Sequence, residues 1–165
     1  MQKDYTDWHR KKAKIEETKL KFNFSTREVW WCCLGLNLGF EEDGKNHNYE
    51  RPVLVLRKFN KNLLWVLPLT TTQKEGEFYH KISIGDRNGS VILSQVRTVS
   101  SKRLLRRMGR VSHEDYKSIS SNFVGVLKKS IPADESAGSR APSGDLYSND
   151  SKKSDKNQVK LNREG

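Results

Sequence analysis

Two apolar runs, PVLVL (52–56) and LLWVLPL (63–69), stand six residues apart, and the segment between them closes on Asn60-Lys61-Asn62, a turn-type sequence. Runs this short, rich in valine and leucine and bounded by turn residues, read as strands, and so short a connection makes them an antiparallel hairpin. EVWWCCLGL (28–36) supplies a strand before the hairpin, with alternation placing Trp30 and Trp31 on opposite faces. FYHKISI (78–84) and SVILSQV (90–96) follow it, bracketing GDRNG as a second turn. Pro52 suits a strand's first residue and Pro68 an edge or a strand's end, because proline donates nothing to a ladder. Ser112 with Asp115 three residues on forms a capping box ahead of YKSISSNFVGVL, a helix. Five short strands and a late helix give an α+β, mainly β fold built on a small curled antiparallel sheet or barrel.

The flanks have a different composition. Residues 1–21 place Tyr5, Trp8 and Ile15 roughly on one side of a 3.6-residue period, an amphipathic helix lying on the body of the protein. Residues 129–165 are rich in Ser, Gly, Asp, Asn and Lys, so burial cannot offset an ordering cost of roughly 1–2 kcal/mol per residue. This segment is expected to be a disordered tail, leaving 22–128 as the folded domain. Of the 165 residues 34% are hydrophobic and 31% charged, and the formal net charge of +11 favours a polyanionic partner. Cys32 and Cys33 are adjacent, where a mutual disulfide is badly strained and a metal clip lacks its spacer, so a reducing compartment fits best. No run approaches the roughly 20 apolar residues of a membrane span, and the charged start MQKDYTDWHRKK lacks the apolar stretch of a secretion signal.

No glycine-rich phosphate loop, His-Glu-x-x-His or Cys-x-x-Cys is present, which leaves nucleotide hydrolysis and metal catalysis little support. What remains is a metal-free polar set. Arg51, at the mouth of the first hairpin run, is a permanently charged fork suited to phosphate oxygens, or an ordinary ion-pair partner of Glu50 or another loop acid. Thr70, at the exit of the second run, is either a hydroxyl for the same phosphate or a common strand-end residue. In LSQVRT (93–98) alternation sets Ser94 and Val96 on one face and Gln95 and Arg97 on the other, as a polar floor beside Arg51 or an exposed strand face. RTVSSKRLLRRMGR (97–110) carries six basic residues and no acid, with Leu104, Leu105 and Met108 as a core stripe at helical spacing. Its charges form a solvated face or a phosphate contact. His9, His47, His80 and His113 are each read as surface residues before catalysts, and Glu41 as a base or a counter-charge to nearby lysines. Tyr49, Phe78 and Tyr79 either stack unpaired bases or fill the core.

In order along the chain, EVWWCCLGLNLGFEEDG, RPVLVL, LPLTT, VILSQVRT and KRLLRRMGRVS resemble the MazF/PemK family of toxin endoribonucleases from type II toxin–antitoxin pairs, over about residues 27–127. The resemblance implies a compact SH3-like barrel with an added helix, homodimerisation, a cytoplasmic setting, and sequence-specific cleavage of single-stranded RNA without metal or cofactor. By position Arg51 and Thr70 match the family's catalytic arginine and threonine, and Glu41 a recurring acid of the first loop. Ser94, Gln95, Arg97 and Thr98 then line the site, with Arg106 and Arg107 in the basic segment that follows. Phe40 stands where some members have a histidine, and Ser94 where many have an acid. An antitoxin with an acidic C-terminal segment is the implied protein partner. The alternative is a non-catalytic module on the same barrel, either nucleic-acid-binding or topoisomerase-inhibiting as in the related CcdB fold.

Overall fold

The computed structural model describes residues 3–19 and 22–129. The segment expected to be a polar tail lies outside the described residues, apart from Lys129. Helix α1 (Tyr5–Glu17) precedes strands β1 (Glu28–Cys33), β2 (Glu50–Lys58), β3 (Leu63–Thr70), β4 (Tyr79–Ile84), β5 (Arg87–Ile92), β6 (Arg97–Ser100) and β7 (Leu104–Arg110), and helix α2 (His113–Lys129) follows them. The strands form one antiparallel sheet in the order β4-β5-β3-β2-β1-β7, with β6 also paired to β3.

The β2–β3 hairpin is the centre of this sheet, in the register Val53↔Pro68, Leu54↔Leu67 and Val55↔Val66. Its unbroken apolar sequence has a physical reason: both faces are covered. Val53, Val55, Leu64 and Val66 enter one core cluster with Phe24, Trp30, Val99 and Leu104. Leu54, Leu56, Leu67 and Leu69 enter a second, with Val91, Leu93, and Ile119 and Phe123 of α2. Toward the turn that second face is uncovered, and Leu63 and Trp65 are exposed there. Each fully buried Leu or Val contributes about 1.5–3 kcal/mol relative to exposure, so these two clusters dominate the fold's stability.

Pro68 is interior rather than terminal. The free side of β3 pairs with β6 as far as Val66 and with β5 from Leu69 onward. Proline occupies the gap between these partners, where a missing N–H costs no ladder bond. Pro52 is likewise the third residue of β2, opposite Trp31.

Three further expectations are corrected. Leu93–Gln95 is a 3₁₀ turn rather than strand, and Val96 is exposed, so the alternation read through LSQVRT does not apply. The basic segment is β6, a 3₁₀ turn at Ser101–Arg103 and β7, with no α-helix. Two register shifts between β1 and β7 explain the misreading, since they break the period-2 pattern and leave Leu104, Leu105 and Met108 at a spacing that imitates a helix. The first strand also ends at Cys33, short of residue 36.

Both helices form where the sequence placed them. Ser112 Oγ accepts from the Asp115 amide at 2.9 Å and donates to its Oδ2 at 2.8 Å, capping α2. In α1 the Asp4 carboxylate caps the Asp7 amide at 2.9 Å, and Trp8 is the buried residue.

Candidate active site

Arg51 is the second residue of β2 and is only 9% exposed. A buried guanidinium must be satisfied along its fork, and this one is. Its Nε donates to the Asp43 carbonyl at 2.6 Å and its Nη1 to the Leu69 carbonyl at 3.1 Å. Its Nη2 forms an ion pair with Glu42 Oε2 at 2.7 Å. The bond to Leu69 ties Arg51 to the strand end that carries Thr70, and continuing the β2–β3 register by two residues sets Arg51 opposite Thr70. Thr70 is half-buried, and its Oγ1 accepts from the Thr72 amide at 3.3 Å. The arginine and the hydroxyl are therefore neighbours on two rigid strands. Thr70 also borders a cleft of about 230 Å³ lined by Trp31, Pro52, Arg87 and Met108 among others.

The connection between β1 and β2, residues 34–49, lies over Arg51. Its base is closed by the amides of Lys45 and Glu50, each donating to the other's carbonyl at 2.8 and 2.9 Å, and by Gly44 donating to the Gly35 carbonyl at 2.8 Å. A Cβ on Gly44 would stand 1.7 Å from the Tyr49 carbonyl oxygen, so only glycine fits this approach. From the other side Gln95 fastens the loop, its Nε2 donating to the Phe40 carbonyl at 3.0 Å and its Oε1 accepting from the Glu42 amide at 3.2 Å. Glu41 meets Arg97 Nη2 at 3.0 Å. Of the three consecutive acids, Glu42 therefore holds Arg51 while Glu41 holds Arg97.

The remaining candidates spread around this centre. Ser94 is exposed on its 3₁₀ turn, and Thr98 accepts from Trp65 Nε1 at 2.9 Å. Arg106 grips Glu50 with both terminal nitrogens, at 2.8 and 2.9 Å, and lies 4.7 Å over the Trp31 ring. That pairing holds the Glu50 carboxyl below its usual range. Arg107, on the neighbouring position of β7, meets Glu28 at 3.5 Å. Of the histidines, His80 contacts Asn122 at 3.2 Å, while His9, His47 and His113 are exposed. Cys32 and Cys33 are free and buried, and burial pushes the Cys32 thiol up to about 12, which makes it a packing residue rather than a nucleophile. Among the described residues no helix is long and apolar enough to cross a membrane, and no cluster of three or more His, Cys, Asp or Glu is placed to hold a metal ion.

In the sequence Glu42 is one of several acids in the polar 39–50 loop, with Glu41, Asp43 and Glu50, and nothing there sets it apart. The run GFEED offers three adjacent acids, and only the course of the loop decides which one reaches Arg51. Nor was Trp8 linked to the site, because its contacts come from loop residues 27 to 41 positions away.

Residues 25–127 match the family model described as PemK-like, MazF-like toxin of type II toxin–antitoxin system. The fold is similar to that of a solved MazF from Deinococcus radiodurans, with a TM-score of 0.53 at 16% identity, covering 66% of this chain and 99% of that one. It is also similar to an endoribonuclease from a mycobacterial species in complex with its cognate antitoxin, at 0.50 and 17% identity, covering 67% of this chain and all of that one. Identities this low speak for a common fold. No curated protein gives a significant match.

Proposed function

The chain belongs to the PemK-like, MazF-like toxin family of type II toxin–antitoxin systems, and on that premise we propose that it is an endoribonuclease that cuts single-stranded RNA at a site built on Arg51 and Thr70. The observation that carries this reading is their juxtaposition, with the Arg51 guanidinium bonded at 3.1 Å to the carbonyl of the residue before Thr70. In that position the guanidinium offsets charge developing on a phosphate while the hydroxyl orients one of its oxygens.

The nucleophile comes from the substrate. The 2′-oxygen attacks the adjacent phosphorus, the bond to the 5′-oxygen breaks, and the products are a 2′,3′-cyclic phosphate and a 5′-hydroxyl. The 2′-hydroxyl loses its proton to a base and the departing oxygen gains one, so the protein supplies position, charge stabilisation and proton transfer. Glu41 is our candidate for the proton acceptor, being exposed and attached to Arg97 rather than to Arg51. Ser94, Gln95, Arg97 and Thr98 line the approach, and Arg106 and Arg107 add positive potential along β7.

Glu42 occupies the Arg51 nitrogen that a phosphate needs. Cleavage therefore requires the 34–49 loop to yield that ion pair, a carboxylate exchanged for a phosphate. We further propose a cytoplasmic homodimer held in check by an antitoxin whose acidic segment competes for the same guanidinium. Purified protein incubated with a long single-stranded RNA in EDTA, followed by mapping of the new ends, tests the reading. Discrete cuts bearing cyclic phosphate and 5′-hydroxyl ends are expected; intact RNA across sequences of varied composition would reject it.

A further inference from the structure

Helix α1 precedes the family-matched region, yet its contacts converge on the loop that covers Arg51. Trp8 packs so closely on Gly35, at φ +89°, that a Cβ there would lie 2.2 Å from the indole. The same indole meets the Tyr49 ring edge-on, with centroids 5.5 Å apart, and the Arg103 guanidinium stands 5.4 Å over it. Tyr49 donates from its hydroxyl to Asp7 Oδ2 at 2.5 Å. Lys3, just before the helix, pairs with Asp43 at 2.6 Å and donates to the Asn37 carbonyl at 2.6 Å. Lys11 donates to Asn48 at 3.1 Å. Helix α1 and Lys3 before it thus hold the loop at its start, its middle and its end. Within the stretch so held are the two loop residues that bind Arg51: Glu42 through its carboxylate and Asp43 through its carbonyl.

We propose that α1 is a built-in brake on the site, with Trp8 as the positioning residue that keeps the 34–49 loop closed and Arg51 unavailable to RNA. The inference rests on the reading of Arg51 as the phosphate-binding residue. Its logic is a population argument. Phosphate binding competes with the closed loop, so apparent affinity falls by the fraction of molecules that are open, and each anchor on α1 lowers that fraction. Asp43 joins the two sides directly, since Lys3 binds its carboxylate while Arg51 binds its carbonyl.

The test uses the full chain as Trp8→Ala and, because that change opens a space under the helix, also as the double variant Lys3→Gln/Tyr49→Phe, which removes two polar anchors without a cavity. Amide hydrogen exchange over residues 34–49 and affinity for a single-stranded oligomer with 2′-deoxy sugars, which cannot be cut, are measured alongside cleavage of the matching RNA. Exchange in the loop is expected to rise about tenfold or more with β2, β3 and α2 unchanged, and oligomer affinity and kcat/KM to rise by a similar factor. Unchanged loop exchange in the double variant would overturn the brake, as would a freed loop that binds the oligomer more weakly. If loop release and tighter binding occur but none of the proteins cuts RNA, the brake stands and the endoribonuclease reading falls.

Discussion

Replacing Arg51 by alanine is expected to remove two things at once. The reacting phosphate loses a preorganised charge, worth on the order of 10²–10³ in rate. The fold loses a satisfied fork, leaving Glu42 and two carbonyls without their donor, at a cost of about 1–3 kcal/mol in a denaturant melt. Arg51→Lys should not restore cleavage, because an ammonium cannot hold Leu69 and a phosphate in the same forked geometry. The sequence made Arg51 and Thr70 legible through their places at the two hairpin ends, but not the partners of Arg51, which are fixed by a loop with no internal periodicity to read. Glu50 gives a residue-scale test in pH. Its carboxyl is buried, and Arg106 lowers its pKa from the ordinary value of 4.5. Its contribution to stability is therefore complete above about pH 4.5 and lost as pH falls through the lowered value. Glu50→Gln should flatten the fall in melting temperature over that acid range; an unchanged acid slope would show that the Arg106 pair does not link folding to pH.

Elements differ in how openly the sequence declares them. β2 and β3 were plain because both faces are buried and the apolar run is continuous. Helix α2 was plain because Ser112 and Asp115 spell its start. β7 was not, since two register shifts against β1 remove the alternation that marks a strand. The 3₁₀ turn at Leu93–Gln95 was hidden for a related reason: three residues are too few to carry a period, yet this turn aims Gln95 at the loop backbone. At this scale Ser112→Ala should cost about 1 kcal/mol, as the loss of a helix cap does, measured as a shifted urea midpoint with unchanged slope. Gln95→Ala should leave the sheet intact and speed hydrogen exchange in residues 40–42, because both the nitrogen and the oxygen of its side-chain amide bind that segment.

At the scale of the whole molecule a rigid sheet carries the proposed site, the 34–49 loop covers it and α1 holds the loop. The sheet presents Arg51 and Thr70, and in the proposed function the arginines of β6 and β7 draw in a polyanion. A chain ending at Lys129 is expected to fold and to cut RNA at the same positions, since both core clusters close within residues 24–123; loss of its cooperative melt would show that the later residues support the fold. The most direct test of the central claim sets wild type beside Thr70→Val on one long single-stranded RNA in EDTA, with the single-turnover rate as the measurement. Valine keeps the strand-forming shape and removes only a hydroxyl whose internal bond is a 3.3 Å contact to Thr72, so the melting temperature should scarcely move. A cleavage site built on Arg51 and Thr70 gives cyclic-phosphate ends from the wild type and a rate at least about 10²-fold lower from the variant. Equal rates from the two proteins, or no cutting by the wild type, would contradict it.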